Sequence, residues 1–321
     1  MNRAYWKEKR VLVTGAGGFV GSHFVEQLSI LGAHVVGTAL NREAVDSSIA
    51  DMAEIERVDI LQEDRFRDVC KEHSIGLILH CAALDGNIDF KSRNSARIMD
   101  ENVRMVSNVL NVAKELGIQD VMIMSSAEIY SPQVQSPIVE EDDHQKFFQY
   151  SENGYVLSKI FAEVLAKLYA KQFGIRTYLP RPTNIYGPRD KFDAANRVIP
   201  SMIRKAVNGE RIEIWGDGSQ VRGFIYVKDL VWSILAMIEY GSYQTLNIAT
   251  EESISILDLA KLVSKTVRVE PNIYVDSEKP GGMKERVLDA KKLKGIIDFQ
   301  QLTLEEGLRN TLEWYMHRSK A

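Results

Sequence analysis

The chain has 321 residues, 45% of them hydrophobic and 26% charged, and carries a net charge of −4. A chain of this length buries a large core and divides into two lobes or two domains. Its charge balance excludes the broad basic field of a nucleic-acid-binding surface, and it has no apolar run of roughly 18 residues to cross a bilayer.

In chain order, Met1 to Arg10 is polar and charged, and Val11-Leu12-Val13 is too short for the apolar core of a signal peptide, so the cytosol is the expected compartment. Cys70 and Cys81 show no metal-ligand spacing, which predicts a reducing environment without a structural disulfide or metal. Arg10 to Thr14 reads as a buried strand, and Gly21 to Leu31 as a helix closed by Gly32. His34 to Leu40 is a second strand, Arg65 to His73 a helix, and Leu77 to Cys81 a third strand. Ser95 to Leu116 is a long helix ended by Gly117, and Val121 to Ser125 another strand. Glu140-Glu141-Asp142-Asp143 reads as a solvated acidic turn. Gly154 to Phe173 is a second long helix, ended by Gly174, and Arg176 to Pro180 starts one more strand. Strands alternating with helices predict an α/β fold with a doubly wound parallel sheet, its site at the carboxyl ends of the strands. After Gly187-Pro188 turn signals cluster at Asn208-Gly209, Gly216-Asp217-Gly218 and Pro280-Gly281-Gly282. The expected division is a dinucleotide-binding domain over 1–186, which also receives a strand and helix from about 225–250, and a smaller lobe over 187–321 that binds substrate.

Two motifs carry the chemistry. Gly15, Gly18 and Gly21 lie between a strand and a helix, where glycines admit a tight turn, close approach of a pyrophosphate and close helix packing. The helix N-terminus then attracts the anion. Tyr155 and Lys159 stand four apart on a helix, so their side chains share a face. A nearby ammonium and a nicotinamide cation favour the phenolate, which suits proton exchange with an alcohol or ketone while a nicotinamide exchanges a hydride. The end of the second strand, Val35 to Arg42, has no acid to bind a ribose diol, and Arg42 suits a 2′-phosphate. NADP is therefore expected, with NAD the alternative through Glu43. In extended chain Ser126, Glu128 and Tyr130 share a face beyond the strand at Val121, which places Ser126 to hydrogen-bond the substrate oxygen.

Thr14-Gly15-Ala16-Gly17-Gly18-Phe19-Val20-Gly21 resembles the Thr-Gly-x-x-Gly-Phe-x-Gly signature of the extended short-chain dehydrogenase/reductase family. The resemblance runs through His80-Cys81-Ala82-Ala83, Tyr155 with Lys159, Asn184-Ile185-Tyr186-Gly187-Pro188, and Arg222 before Phe224-Ile225-Tyr226-Val227. It implies a Rossmann domain and an enzyme that modifies sugars carried on nucleoside diphosphates. It adds Phe19, Val20, Asp59, Ile60, Ala82 and Pro182 to the cofactor-binding set, with Asp59-Ile60 similar to the pair that holds the adenine ring. It implies that Ser126 is the third catalytic residue beside Tyr155 and Lys159. Glu128 resembles the glutamate with which 4,6-dehydratases and decarboxylases take the C5 proton; some 4-ketosugar reductases carry an acid there too.

The body is similar to another branch, GDP-fucose synthase. Asp85-Gly86-Asn87-Ile88 resembles its Gly-Gly-Ile loop, and Gly187 to Phe192, Val198-Ile199-Pro200 and Lys279-Pro280-Gly281-Gly282 resemble its substrate segments. The cysteine and histidine of that branch's epimerisation are replaced here by Ala127 or Glu128 and by Arg197. The substrate-binding candidates are Asn87, Asn184, Val198, Arg222 and Arg286; Trp215 is either a base-stacking platform or core. Expected activities are C4 oxidation and reduction of a nucleotide hexose ending in epimerisation or dehydration, or an NADPH-dependent 4-keto-6-deoxysugar reductase. A non-catalytic NADP-sensing protein is the reading from a different class. The resemblance also implies a homodimer through a four-helix bundle built from the helices at Ser95–Leu116 and Gly154–Phe173.

Overall fold

The computed structural model describes residues 2–86, 88–146, 152–192, 197–242 and 244–318. The strands are β1 (Arg10–Thr14), β2 (His34–Ala39), β3 (Glu54–Arg57), β4 (Leu77–His80), β5 (Asp120–Ile123), β6 (Arg176–Pro182), β7 (Asn184–Tyr186), β8 (Ile212–Trp215), β9 (Val221–Tyr226), β10 (Thr245–Ile248), β11 (Ser253–Ser255), β12 (Ile273–Asp276) and β13 (Glu285–Arg286). The helices are α1 (Arg3–Trp6), α2 (Phe19–Leu31), α3 (Ser47–Ala50), α4 (Glu63–Glu72), α5 (Ile88–Arg93), α6 (Ser95–Leu116), α7 (Gly154–Phe173), α8 (Val198–Val207), α9 (Val227–Tyr240), α10 (Ile256–Val267), α11 (Lys291–Lys294) and α12 (Leu304–Arg318).

Two compact units form. The first comprises Met1–Ile129, Gln149–Arg181 and Val231–Leu246. Its sheet runs β10-β6-β5-β4-β1-β2-β3, and the neighbours from β3 through β6 pair parallel. Val11, Leu12, Val13 and Thr14 are fully buried, as a strand covered on both faces requires. The chain winds outward from β1 to β3 on one side and from β4 to β6 on the other. The switch point, where a doubly wound sheet binds its ligand, therefore lies at the carboxyl ends of β1 and β4. The core joins Leu12, Ile78, Val121 and Leu179 from the strands to Phe66, Val109, Leu110 and Ala162 from the helices. Helices α6 and α7 end at Gly117 and Gly174, both in the left-handed conformation.

The second unit comprises Tyr130–Phe148, Pro182–Leu230 and Asn247–Ala321. In it β9 pairs with β11, β13 and β7, and β8 with β12. Its core gathers Tyr186, Phe192, Ile203, Phe224, Leu259 and Leu308. The segments Tyr130–Phe148 and Pro182–Tyr186 group with this unit, although their place in the sequence put them in the N-terminal domain. The acidic run is not a solvated turn: Glu140 and Asp143 are buried, and Glu140 accepts the Asn247 N–H at 2.9 Å and pairs with Lys292 at 3.1 Å. Among the described residues no helix is long and apolar enough to cross a membrane.

Candidate active site

At the switch point Gly15 has φ +67°, and a Cβ there would stand 3.1 Å from the backbone of Ala82. Gly21 meets the loop more closely still, since a Cβ would fall 2.2 Å from the Gly15 carbonyl oxygen. Gly18 is the N-cap of α2, and no side chain caps that helix start. Phe19 and Val20 form its first turn. The result is a backbone cradle in front of a helix N-terminus, which fits the pyrophosphate of a dinucleotide. Thr14 fixes its floor by accepting the N–H groups of Cys81 and Ala82, each at 3.1 Å, and by bonding His80 Nδ1 at 2.9 Å. Burial pushes the His80 imidazolium down to about 3, so this histidine is a neutral structural partner.

Arg42 is exposed in a single turn after β2, where Asn41 accepts the Glu43 N–H at 3.0 Å. Arg57, opposite Ala39 in the β2–β3 register, is a second exposed arginine at the same strand end. The Asp59 carboxylate accepts the Leu61 N–H at 2.9 Å, and the Ile60 carbonyl accepts Asn108 at 2.8 Å. Pro182 ends β6.

Beyond β5 the chain does not continue extended. Ala127–Ile129 is a 3-10 turn, in which the Ser126 hydroxyl accepts the Glu128 N–H at 3.1 Å. Alternation therefore does not place Ser126, Glu128 and Tyr130 on one face. Tyr130 is buried and donates to Asn247 Oδ1 at 2.6 Å. The serine hydroxyl thus caps the turn that follows the strand.

Tyr155 lies in the first turn of α7, whose N-cap Asn153 accepts the Tyr155 and Val156 N–H groups at 3.1 and 3.3 Å. Lys159 is buried and donates to the Met124 carbonyl at 2.6 Å. Burial pushes its ammonium down to about 8, with Asp85, Cys81 and Glu128 acting the other way. Lys159 Nζ is 5.6 Å from the Tyr155 ring centroid, and Lys91 Nζ is nearer, at 3.9 Å. Lys91 also pairs with Asp85 at 3.1 Å and Glu128 at 3.4 Å. No sequence motif singled out Lys91, because its α5 lies far along the chain from α7. Behind the site, Glu163 of α7 receives Arg181 at 2.8 and 2.6 Å and the Ser125 hydroxyl at 2.6 Å. That buried pair locks α7 to β6 and to the chain just before Ser126.

In the second unit, Arg222 and Arg286 stand opposite each other in the β9–β13 register. Arg222 donates to the carbonyls of Val221 and Met283 at 2.8 and 2.6 Å. Burial, then the neighbouring Arg286, pushes its guanidinium down to about 10. The buried Nε of Arg286 has no hydrogen-bond partner among the described residues. Two adjacent, underpaired guanidiniums attract a multivalent anion. Trp215 is 44% exposed, so it is not core; Lys279 Nζ lies 5.0 Å above its ring. Asn184 is exposed and donates to Gly223 O at 2.9 Å, and Val198, also exposed, opens α8. Asn87 lies outside the described residues.

The profile of the NAD dependent epimerase/dehydratase family matches residues 11–249. A dTDP-4-dehydro-6-deoxy-D-allose reductase from a Streptomyces species is 44% identical over 97% of both chains. A GDP-L-fucose synthase from Sinorhizobium fredii is 27% identical over 96% of both. Among solved structures, the UDP-glucose 4-epimerase of Thermotoga maritima superposes with a TM-score of 0.86 at 25% identity, covering 97% of this chain and 99% of its own. By sequence and by fold, the chain is an enzyme of the NAD dependent epimerase/dehydratase family.

Proposed function

We propose that the chain reduces the C4 ketone of a deoxythymidine-diphosphate 4-keto-6-deoxyhexose, with NADPH as reductant. The observation that carries this reading is the end-to-end identity of 44% with a reductase of that substrate type. The dinucleotide, when bound in the glycine cradle, supplies the hydride that C4 accepts. Tyr155 donates its phenolic proton to the ketone oxygen, and Ser126 hydrogen-bonds the same oxygen. The hydride that a bound dinucleotide would supply and the Tyr155 proton together make the secondary alcohol, and the phenolate recovers its proton from water. Lys159 holds positive charge near the phenol as that proton leaves. Glu128, the base that a dehydration would need, is engaged by Lys91, which supports reduction over elimination. Arg222 and Arg286 bind the substrate diphosphate, Trp215 offers a face to the base, and Asn184 and Val198 complete the contacts.

Arg42, with Arg57 beside it, supports NADP over NAD, because the end of β2 offers no acid to a ribose diol. A homodimer is part of the same reading. Met99 on α6 and Val164 and Leu168 on α7 are 37%, 39% and 55% exposed, and α7 carries them at helical spacing with Leu157 and Phe161. Such a stripe on packed helices suits a four-helix contact.

The test is turnover of the dTDP-4-keto-6-deoxyhexose with NADPH, by parent protein and Tyr155→Phe. One NADPH should be oxidised per C4 alcohol formed, and the variant should lose about 10²–10⁴-fold. Isomerisation or dehydration of a nucleotide sugar without net NADPH use would overturn the reading.

A further inference from the structure

Helix α5 presents an ammonium to the face of the Tyr155 ring. Lys91 Nζ is 3.9 Å from the ring centroid, 1.7 Å closer than Lys159 Nζ at 5.6 Å. Two carboxylates hold it there: Asp85 Oδ1 at 3.1 Å, from the loop after β4, and Glu128 Oε1 at 3.4 Å, from the turn after β5. Its side chain is only 16% exposed. Among the described residues, the charged groups gathered around the tyrosine are Lys91 from α5, Lys159 from α7, Asp85 and Glu128, with the buried Cys81 thiol and neutral His80 near Lys159.

We propose that Lys91 is a positioning residue of the reaction, which stabilises the phenolate that Tyr155 becomes when it gives up its proton and keeps Glu128 from acting as a base at C5. The inference rests on the reading of Tyr155 as the proton donor to a C4 ketone. A cation over a neutral phenol gains only the weak attraction of the ring quadrupole. Over a phenolate it gains a charge–charge attraction in a partly desolvated place. The interaction is therefore stronger after proton transfer than before it, which lowers the barrier rather than tightening substrate binding. The same ammonium, 3.4 Å from Glu128, holds that carboxylate oxygen away from a C5 proton. Asp85 sets the position of Lys91 between ring and carboxylate.

The test uses Lys91→Met, which keeps the length of the side chain, and Lys91→Arg, which keeps the charge. Lys91→Met should lower kcat by about 10- to 100-fold, less than the loss for a full oxyanion donor because the site is partly solvated, and leave KM near that of the parent. In the reduction the phenol must be protonated, so removing the cation should move the alkaline limb of the kcat profile to higher pH. Solvent deuterium should enter C5 of the ketosugar with Lys91→Met and not with the parent. Lys91→Arg should restore both the limb and kcat. In a Tyr155→Phe background Lys91→Met should cost nothing further, since the effect runs through the phenol. A substrate-free readout separates this proposal from the substrate reading. The phenolate absorbance of Tyr155, isolated as parent minus Tyr155→Phe from the 12 tyrosines, should emerge at higher pH in Lys91→Met. If that titration is unmoved, or if Lys91→Met lowers kcat equally in both Tyr155 backgrounds, the proposal is wrong. If the titration moves and no ketosugar is reduced, the substrate reading is wrong and the role of Lys91 at Tyr155 stands.

Discussion

Replacing Glu163 by alanine should be among the most damaging single changes in the first unit. Glu163 and Arg181 are both 0% exposed, and the carboxylate receives two guanidinium bonds, at 2.8 and 2.6 Å, and the Ser125 hydroxyl at 2.6 Å. Lys167 lies 3.8 Å from it and cannot replace it as a partner for Arg181. Alanine removes the carboxylate that receives two of the bonds of a fully buried guanidinium, and breaking a buried pair from one side costs about 3–5 kcal/mol. Against a typical total of about 5–15 kcal/mol, that leaves little margin. The damage comes from a buried charge stripped of this carboxylate rather than from a large intrinsic gain by the pair. The double variant Glu163→Leu/Arg181→Met should therefore be more stable than Glu163→Ala. Urea unfolding followed by circular dichroism would measure all the variants in one cycle, with an expected coupling of about 2–3 kcal/mol. A loss below about 1 kcal/mol for Glu163→Ala, or a double variant no better than the worse single one, would refute the reasoning.

Three further outcomes follow from named contacts. The Lys159 ammonium sits at about 8 in the folded chain against 10.5 for an ordinary lysine, so between those values the unfolded chain binds more protons. The contribution of Lys159 to stability should accordingly rise as pH climbs from about 8 to 10.5. Parent minus Lys159→Met unfolding free energy, measured without nucleotide, should change by about 3 kcal/mol in that direction, and a flat difference would contradict the burial argument. Arg42→Ala should weaken NADPH binding by about tenfold with little change for NADH, read by fluorescence titration; equal losses for both would deny it a 2′-phosphate contact. Leu168→Glu should turn a dimer into a monomer in light scattering at micromolar concentration, whereas a parent that is already monomeric removes the four-helix contact.

The elements whose physics is local were readable from sequence. Helices α6 and α7 run between the predicted ends because Gly117 and Gly174 close them, and β1 occupies the predicted residues because its apolar run meets glycines. β3 escaped notice, since Glu54-Ile55-Glu56-Arg57 has one apolar side chain and is held by its pairing with β2. The turn after β5 departs from the extended chain that alternation predicts because the hydroxyl of Ser126 captures the Glu128 N–H, a choice that residue type permits without requiring. Tyr155 and Lys159 were legible through their helical spacing. Lys91, Glu163 and Arg181 were not, because their roles depend on pairings between elements. The exposure of Trp215 was likewise settled only by the packing of β8.

The start of α7 is interlocked with the start of α6. A Cβ on Gly154 would fall 1.9 Å from the Ser95 carbonyl oxygen, while the Ser95 hydroxyl accepts the Gly154 N–H at 2.7 Å and donates to Glu152 O at 2.5 Å. Tyr155, one residue on, therefore takes its coordinates from the neighbouring helix rather than from the chain that leads to it. That covalent lead is relieved of any duty to aim the phenol. Length changes in the chain between Asp143 and Glu152 that spare Asn153 and the Ser95 contacts should then leave the phenol in place, so this lead can vary in the scaffold without moving Tyr155.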